Sequence, residues 1–132
     1  MTHHQSTLSP LVLNIARREA RAFLDEVSGV TAVVVASIDG FDIASAIRGD
    51  IDPSRVAAIA SSISAISGVV AQEAALGNPT SVMINTDKGF AQVFSVHRAD
   101  AQLVINVIAD ASGILAQVAY RGVRFAKSLQ DA

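Results

Sequence analysis

Hydrophobic and polar positions recur along this chain in two rhythms, one of three to four residues and one of two. From Ser9-Pro10 onward, Val12, Ile15, Ala16, Phe23, Leu24 and Val27 fall on one side of a helix, and Arg17, Arg18, Arg21, Asp25 and Glu26 cover the rest. Ser28-Gly29 suits its end. The run VTAVVVASIDGFDIASAI places β-branched and small residues on both sides of Asp39-Gly40, which predicts a β-hairpin with a tight turn. Asp52 and Pro53 then supply a helix start, and Gly77-Asn78-Pro79 a stop. SVMINT and FAQVFSV predict a second hairpin about Asp87-Lys88-Gly89. QLVINVIA is almost continuous in apolar residues and predicts a central strand covered on both faces. A last helix, capped by Asp110 or Ser112, turns Leu115, Val118, Gly122, Phe125 and Leu129 inward and Arg121, Arg124 and Lys127 to water.

The predicted order is helix, two strands, helix, three strands, helix. Each helix must bury its apolar stripe against a sheet, so the fold class is α+β, with a five-stranded antiparallel sheet flanked by helices. Residues 1–10 are expected to form a flexible tail and residues 11–132 a single domain.

The middle helix departs from the usual pattern. Between Arg55 and Glu73 there is no charged residue. Val56, Ile59, Ile63, Ile66 and Val70 form one stripe, while Ala57, Ser61, Ser64, Gly68, Ala71 and Ala75 form a second on the roughly opposite face. A face open to water normally carries Lys or Glu, and this one carries neither. The expectation is that the bulky stripe covers the sheet and the small stripe meets a partner.

Composition removes several function classes. A formal charge of −2 with only 10 basic residues gives no electrostatic footprint for nucleic acid. Five phenylalanines and one tyrosine, mostly at core-periodic positions, offer no stacking ladder for bases. With no cysteine there is neither a disulfide framework nor a thiolate nucleophile, which suits a reducing compartment. The N-terminal MTHHQSTLSPLVLNIARREA lacks the continuous apolar stretch of a secretion signal, so a cytoplasmic location is expected. Val56 to Ala71 is shorter than the roughly 20 residues a span needs. It also holds four serines and a glycine, so no membrane span is expected.

Nor does any motif encode catalysis. Ser112-Gly113 sits at a helix start, where capping explains it, and His97 lies in the turn HRAD beside Arg98 and Asp100 with no second ligand at metal spacing. His3-His4 belong to the tail. Asp39, Asp42, Asp50 and Asp52 lack calcium-loop spacing and serve turns and caps. GFDIASAIRGD has no phosphate-cradling Gly-Lys-Ser/Thr. No catalytic, cofactor-binding or metal residue is assigned.

With the elements placed, VSGVTAVVVASIDGFDIASA resembles the first hairpin of the roadblock family, the dynein light chain type. The small-residue helix from Pro53 to Leu76, the INTDKGFAQVFSV hairpin and the stretch IADASGILAQVAYRGVRFAKSL also look alike, so the resemblance covers roughly residues 12–129. It departs at Ala111-Ser112-Gly113, where members often carry an Asn-Leu-Gly-like start to the last helix. The resemblance implies a noncatalytic dimer in which the second helices pack together and the third strands meet edge to edge. Here these are helix 53–76 and strand 80–86, with Ser81, Met83 and Asn85 alternating against Val82 and Ile84. Such members commonly serve as platforms for small Ras-like GTPases, and some bacterial ones accelerate GTP hydrolysis by arranging the GTPase's own residues. The expected partners are therefore a second copy, through Ala57, Ser61, Ser64, Gly68, Ala71, Ala75, Ser81, Met83 and Asn85, and a small Ras-like GTPase. If the chain activates a GTPase, Arg48, Arg55 and Arg98 are the loop or helix-start arginines that could touch a nucleotide-bound partner; solubility is their commoner role, and none is assigned as an arginine finger. The alternatives are a scaffold subunit that contacts no GTPase and a small-molecule sensor of the profilin-like sort.

Overall fold

The computed structural model describes residues 8–132. Helix α1 (Pro10–Glu26) begins where the Ser9 hydroxyl accepts a hydrogen bond from the Val12 amide, with Pro10 in the first turn. Leu8, inside the expected tail, is buried against the core, so the ordered domain starts earlier than position 11. Residues 1–7 of that tail, with His3 and His4, lie outside the described residues.

Strands β1 (Val30–Ser37) and β2 (Asp42–Ile47) form the first hairpin. Its connection is a four-residue loop and not a two-residue turn. The Ser37 amide donates to the Phe41 carbonyl at 2.9 Å, and the Ser37 hydroxyl accepts from the Phe41 amide at 3.1 Å. Within this loop only Gly40 takes a positive φ, of 94°. Helix α2 (Pro53–Glu73) follows, capped by Asp52, whose carboxylate accepts from the Ser54 amide at 3.0 Å. Strands β3 (Ser81–Thr86), β4 (Gly89–His97) and β5 (Gln102–Asp110) lead to helix α3 (Leu115–Asp131).

The five strands form one antiparallel sheet in the order β2-β1-β5-β4-β3. The apolar strand β5 lies at its centre, as its continuous hydrophobic run predicts, and β3 is a free edge. Helices α1 and α3 cover one face, where Phe23, Leu24, Val33, Val35, Phe94, Ile105, Val118, Phe125 and Leu129 form the main core. Helix α2 covers the other face through a smaller cluster of Val34, Ala36, Val56, Ala57, Ala60, Val93 and Val104.

The start of α3 corrects one expectation. Its N-cap is Ile114, with no side-chain cap, and the Asp110 carboxylate instead accepts from the amide and hydroxyl of Ser112 at 2.9 and 2.6 Å. Those bonds hold the Asp110 pKa below its ordinary value. The turn is stapled one residue pair too early for the aspartate to reach the helix amides.

Candidate functional site

Helix α2 sits on the sheet the other way round from the expectation. Val56, Ala57, Ala60 and Ala71 are buried, with Ser61, Ser64 and Gly68 half-buried beside them. Ile59, Ile66, Val69 and Val70 point outward and are 56%, 65%, 62% and 56% exposed. Ala57 and Ala71 therefore belong to the chain's own core and are not available to a second subunit. Ala75 lies past the helix end, at a positive φ of 55°. Ser81 and Asn85 are exposed on the β3 edge, and Met83 is half-buried.

Close approach explains the reversal. The sheet surface beneath α2 already carries Val34, Val93 and Val104, so small helix residues let the two backbones meet without voids. The first hairpin leans on the same side. The Ser61 hydroxyl donates to the Ile38 carbonyl, and a Cβ on Gly40 would lie 3.4 Å from the Ala58 Cα. Small residues in this helix thus serve intramolecular packing and leave a bulky apolar ridge facing out.

By length and composition alone α2 could cross a membrane, yet its inner residues are part of the second core. Beside the ridge runs an open apolar groove of about 510 Å³, lined by Ile63, Ile66, Val70, Leu76, Pro79 and Val82. It joins the helix ridge to the free β3 edge. A Leu76 that is 72% exposed and an Ile84 that is 39% exposed extend the same surface. A contiguous apolar face of this kind marks an interaction surface.

Two buried amides lie in the sheet, one on each face. Asn106 faces α2 from β5, between Val34 and Val93 on the neighbouring strands, and its Oδ1 is buried with no hydrogen-bond partner. Gln92 on β4 donates to the Ser81 hydroxyl at 3.4 Å, while its own Oε1 has no partner. An orphaned acceptor costs about 1–3 kcal/mol. Asn106→Leu, similar in shape, is therefore expected to raise the unfolding free energy by about 1 kcal/mol in urea denaturation. A decrease would show that the oxygen is satisfied in solution.

The three arginines separate clearly. Arg98 donates to both Asp100 carboxylate oxygens at 2.8 and 3.0 Å and to the carbonyls of Leu129 and Ala132, so it ties the β4–β5 turn to the end of α3. That pairing holds the Asp100 pKa below and the Arg98 pKa above their ordinary values. Arg48 donates to the Leu24 carbonyl at 2.9 Å at the end of α1. Arg55, at the first turn of α2, has no ion pair with any described residue.

The opposite face is less open to a ligand. A polar cleft between α1 and α3 is lined by Glu19, Glu26, Tyr120, Arg121 and Arg124. Its charges are largely satisfied internally: Arg121 donates to Glu26 at 2.7 Å and lies over the Phe23 ring, and Arg124 lies over Tyr120. Among the described residues no three acidic or histidine side chains are grouped for a metal.

The family model of the Roadblock/LC7 domain matches residues 18–109. Among solved structures, a Roadblock/LC7 domain from Streptomyces avermitilis is 17% identical, with a TM-score of 0.78 over 87% of this chain and 94% of its own. The gliding protein MglB from Thermus thermophilus is 14% identical, with a TM-score of 0.82 over 94% of this chain and 92% of its own. An MglB with a tetrameric arrangement is 16% identical, with a TM-score of 0.81 over 94% and 91%. At these identities the likeness is one of fold. No curated protein matches the sequence.

Proposed function

The chain belongs to the Roadblock/LC7 domain family, and we propose that it acts as a noncatalytic, dimeric adaptor that binds and regulates a small Ras-like GTPase. It is a protein-interaction module. The observation that carries the reading is the apolar ridge Ile59, Ile66, Val69 and Val70, exposed on α2 beside the free edge of β3. In water such a surface is unfavourable at about 25 cal/mol per Å² of apolar area, so burial against another chain is strongly driven. The MglB with a tetrameric arrangement supports self-association on this fold. Pairing α2 and β3 of two copies would cover the ridge, the groove and the strand edge together, and the paired surface is the platform we assign to the GTPase.

Regulation without catalysis fits the arginines. Arg48 and Arg98 are engaged by the chain's own backbone carbonyls, so neither is poised to enter another protein's nucleotide site. The adaptor would act by holding the GTPase's own residues in place. We assign it to the cytoplasm, where such partners work.

Purified chain should sediment as a dimer. It should also retain a small Ras-like GTPase in one nucleotide state at least tenfold better than in the other, measured by biolayer interferometry with GDP and a GTP analogue. A dimer that captures no member of a GTPase panel in either state would instead support the scaffold reading. Flotation of the chain with vesicles, with no dimer formed, would reassign the ridge to a membrane.

A further inference from the structure

We infer that the outward face of α3 is a second docking surface, built for an acidic amphipathic helix of another protein that lies antiparallel to α3, its apolar side on Leu115, Tyr120 and Val123 and its carboxylates on Arg124 and Lys127. This does not rest on the self-association proposed above. It uses the opposite side of the sheet, so the chain can hold a further partner while α2 is engaged.

The inner side of α3 is already complete. Val118, Gly122, Phe125, Ala126 and Leu129 are its buried residues, so the core needs none of the others. Residues three and four apart are neighbours on a helix surface. Outside the buried stripe, Leu115, Ala119, Val123 and Lys127 therefore make one row and Ala116, Tyr120 and Arg124 the next, and each row begins apolar and ends in a cation. Leu115, Tyr120 and Val123 are 42%, 66% and 61% exposed. From Ala111 to Gln130 the only charged residues are basic. The longer row spans about 18 Å at 1.5 Å per residue, room for a docked helix of three turns.

Charge selects the partner. Helices α1 and α3 hold six of the chain's ten basic residues and four of its twelve acidic ones, so this side is net positive in a chain whose formal charge is −2. All four acidic residues are paired from within: Glu19 with Arg18, Asp25 with Arg21, Glu26 with Arg121 and Asp131 with Lys127. Arg17 and Arg124 have no ion pair among the described residues. Of the two, Arg124 stands on the ridge. Its guanidinium lies 5.5 Å over the Tyr120 ring and donates to the Tyr120 hydroxyl at 3.3 Å, which orients the group and leaves its charge uncompensated. Lys127 and Asp131 are both largely exposed, so that i, i+4 contact is weak and readily exchanged for another carboxylate. Tyrosine and arginine are also the residue types that anchor protein interfaces.

A helix that fits this surface has Asp or Glu in its first turns and apolar residues behind them. Its N-terminus then lies over the C-terminal half of α3, where its own dipole favours the acidic residues and the opposed dipoles of the two helices attract. A membrane fits less well. A helix that binds a lipid surface carries Lys and Arg along its whole polar face, whereas here the cations follow the ridge at one end and Glu19, Glu26 and Asp131 border the same side. A discrete segment places carboxylates on Arg124 and Lys127 alone, while a continuous anionic surface would meet those acids as well.

The experiment pans a phage-displayed library of random helical peptides on the full chain, with Val123→Glu and Arg124→Glu as comparison variants, each first checked for an unchanged melting curve and unchanged sedimentation. Neither residue belongs to a core cluster. Enriched peptides should carry an excess of acidic residues in their first turns and bind each variant at least tenfold more weakly than wild type, measured by fluorescence anisotropy. Peptides that both variants bind as well as wild type does, peptides with no acidic excess, or no enrichment at all would overturn the proposal. So would flotation of the chain with phosphatidylserine vesicles, abolished in both variants and with no peptide bound, since the ridge would then belong to a lipid surface. Each of these results leaves the reading of α2 untouched, because sedimentation reports that pairing separately.

Discussion

Ile66→Glu should convert the chain into a folded monomer. Ile66 is 65% exposed at the middle of the α2 ridge and belongs to neither core cluster, so an unpaired chain loses almost nothing when it becomes polar. In a two-fold pair the same change buries two carboxylates at the centre of the interface. Removing a central apolar anchor costs at least about 2 kcal/mol, and two copies meet, so the dissociation constant should rise roughly a thousandfold. Sedimentation at micromolar concentration would show a monomer with an unchanged melting curve, and GTPase capture should fall with it. A dimer that survives Ile66→Glu would remove α2 from the interface. Ser64→Arg and Gly68→Glu test something else: both positions are half-buried and turned away from the ridge, beside a cleft lined by Ile38, Pro79 and Leu103, and a Cβ at Gly68 would meet no atom within 4 Å, so neither change reads the ridge.

The difference between those two sets of variants shows where the sequence was legible. Element order and the central place of β5 followed from periodicity and turn residues, because a strand reports its burial through its own pattern, whereas the edge place of β3 was implied by the family resemblance, with which its half-polar alternation agrees. The hairpin tip followed less closely, since Asp39-Gly40 announces a turn but not its length. Helix α2 was legible as an element and as an anomaly, yet its orientation was not. Two apolar stripes of different size satisfy a helical period equally well, and nothing local says which one meets the sheet. The deciding fact is nonlocal: Val34, Val93 and Val104, brought together from three strands, fill the space that bulky helix residues would need. Arg98 was similarly opaque. Its role depends on the carbonyls of Leu129 and Ala132, more than thirty residues away in the chain.

Gly122→Leu should cost the fold itself, which makes it the counterpart of the ridge variant. The helical rhythm of α3 puts Gly122 among core positions, where glycine costs about 1 kcal/mol relative to alanine, so something must require it. That requirement is the Phe94 ring: a Cβ at position 122 would lie 2.1–2.5 Å from three of its carbons. Phe94 is only 1% exposed and lies in the main core, so the ring has nowhere to retreat. Overpacking of this kind costs about 1–3 kcal/mol or more, and the branched side chain adds further clashes, so the melting temperature should fall by more than about 10 °C. Phe94→Ala alone opens a cavity and should cost about 3–5 kcal/mol. Combined, the two changes exchange volume across one contact. The double variant should therefore be more stable than the sum of the single effects predicts, and a thermal double-mutant cycle measures that coupling. Strict additivity would mean that Phe94 and Gly122 do not constrain each other. Because this notch lies on the sheet face opposite α2, any dimer lost here must be lost through unfolding, whereas Ile66→Glu loses the dimer and keeps the fold.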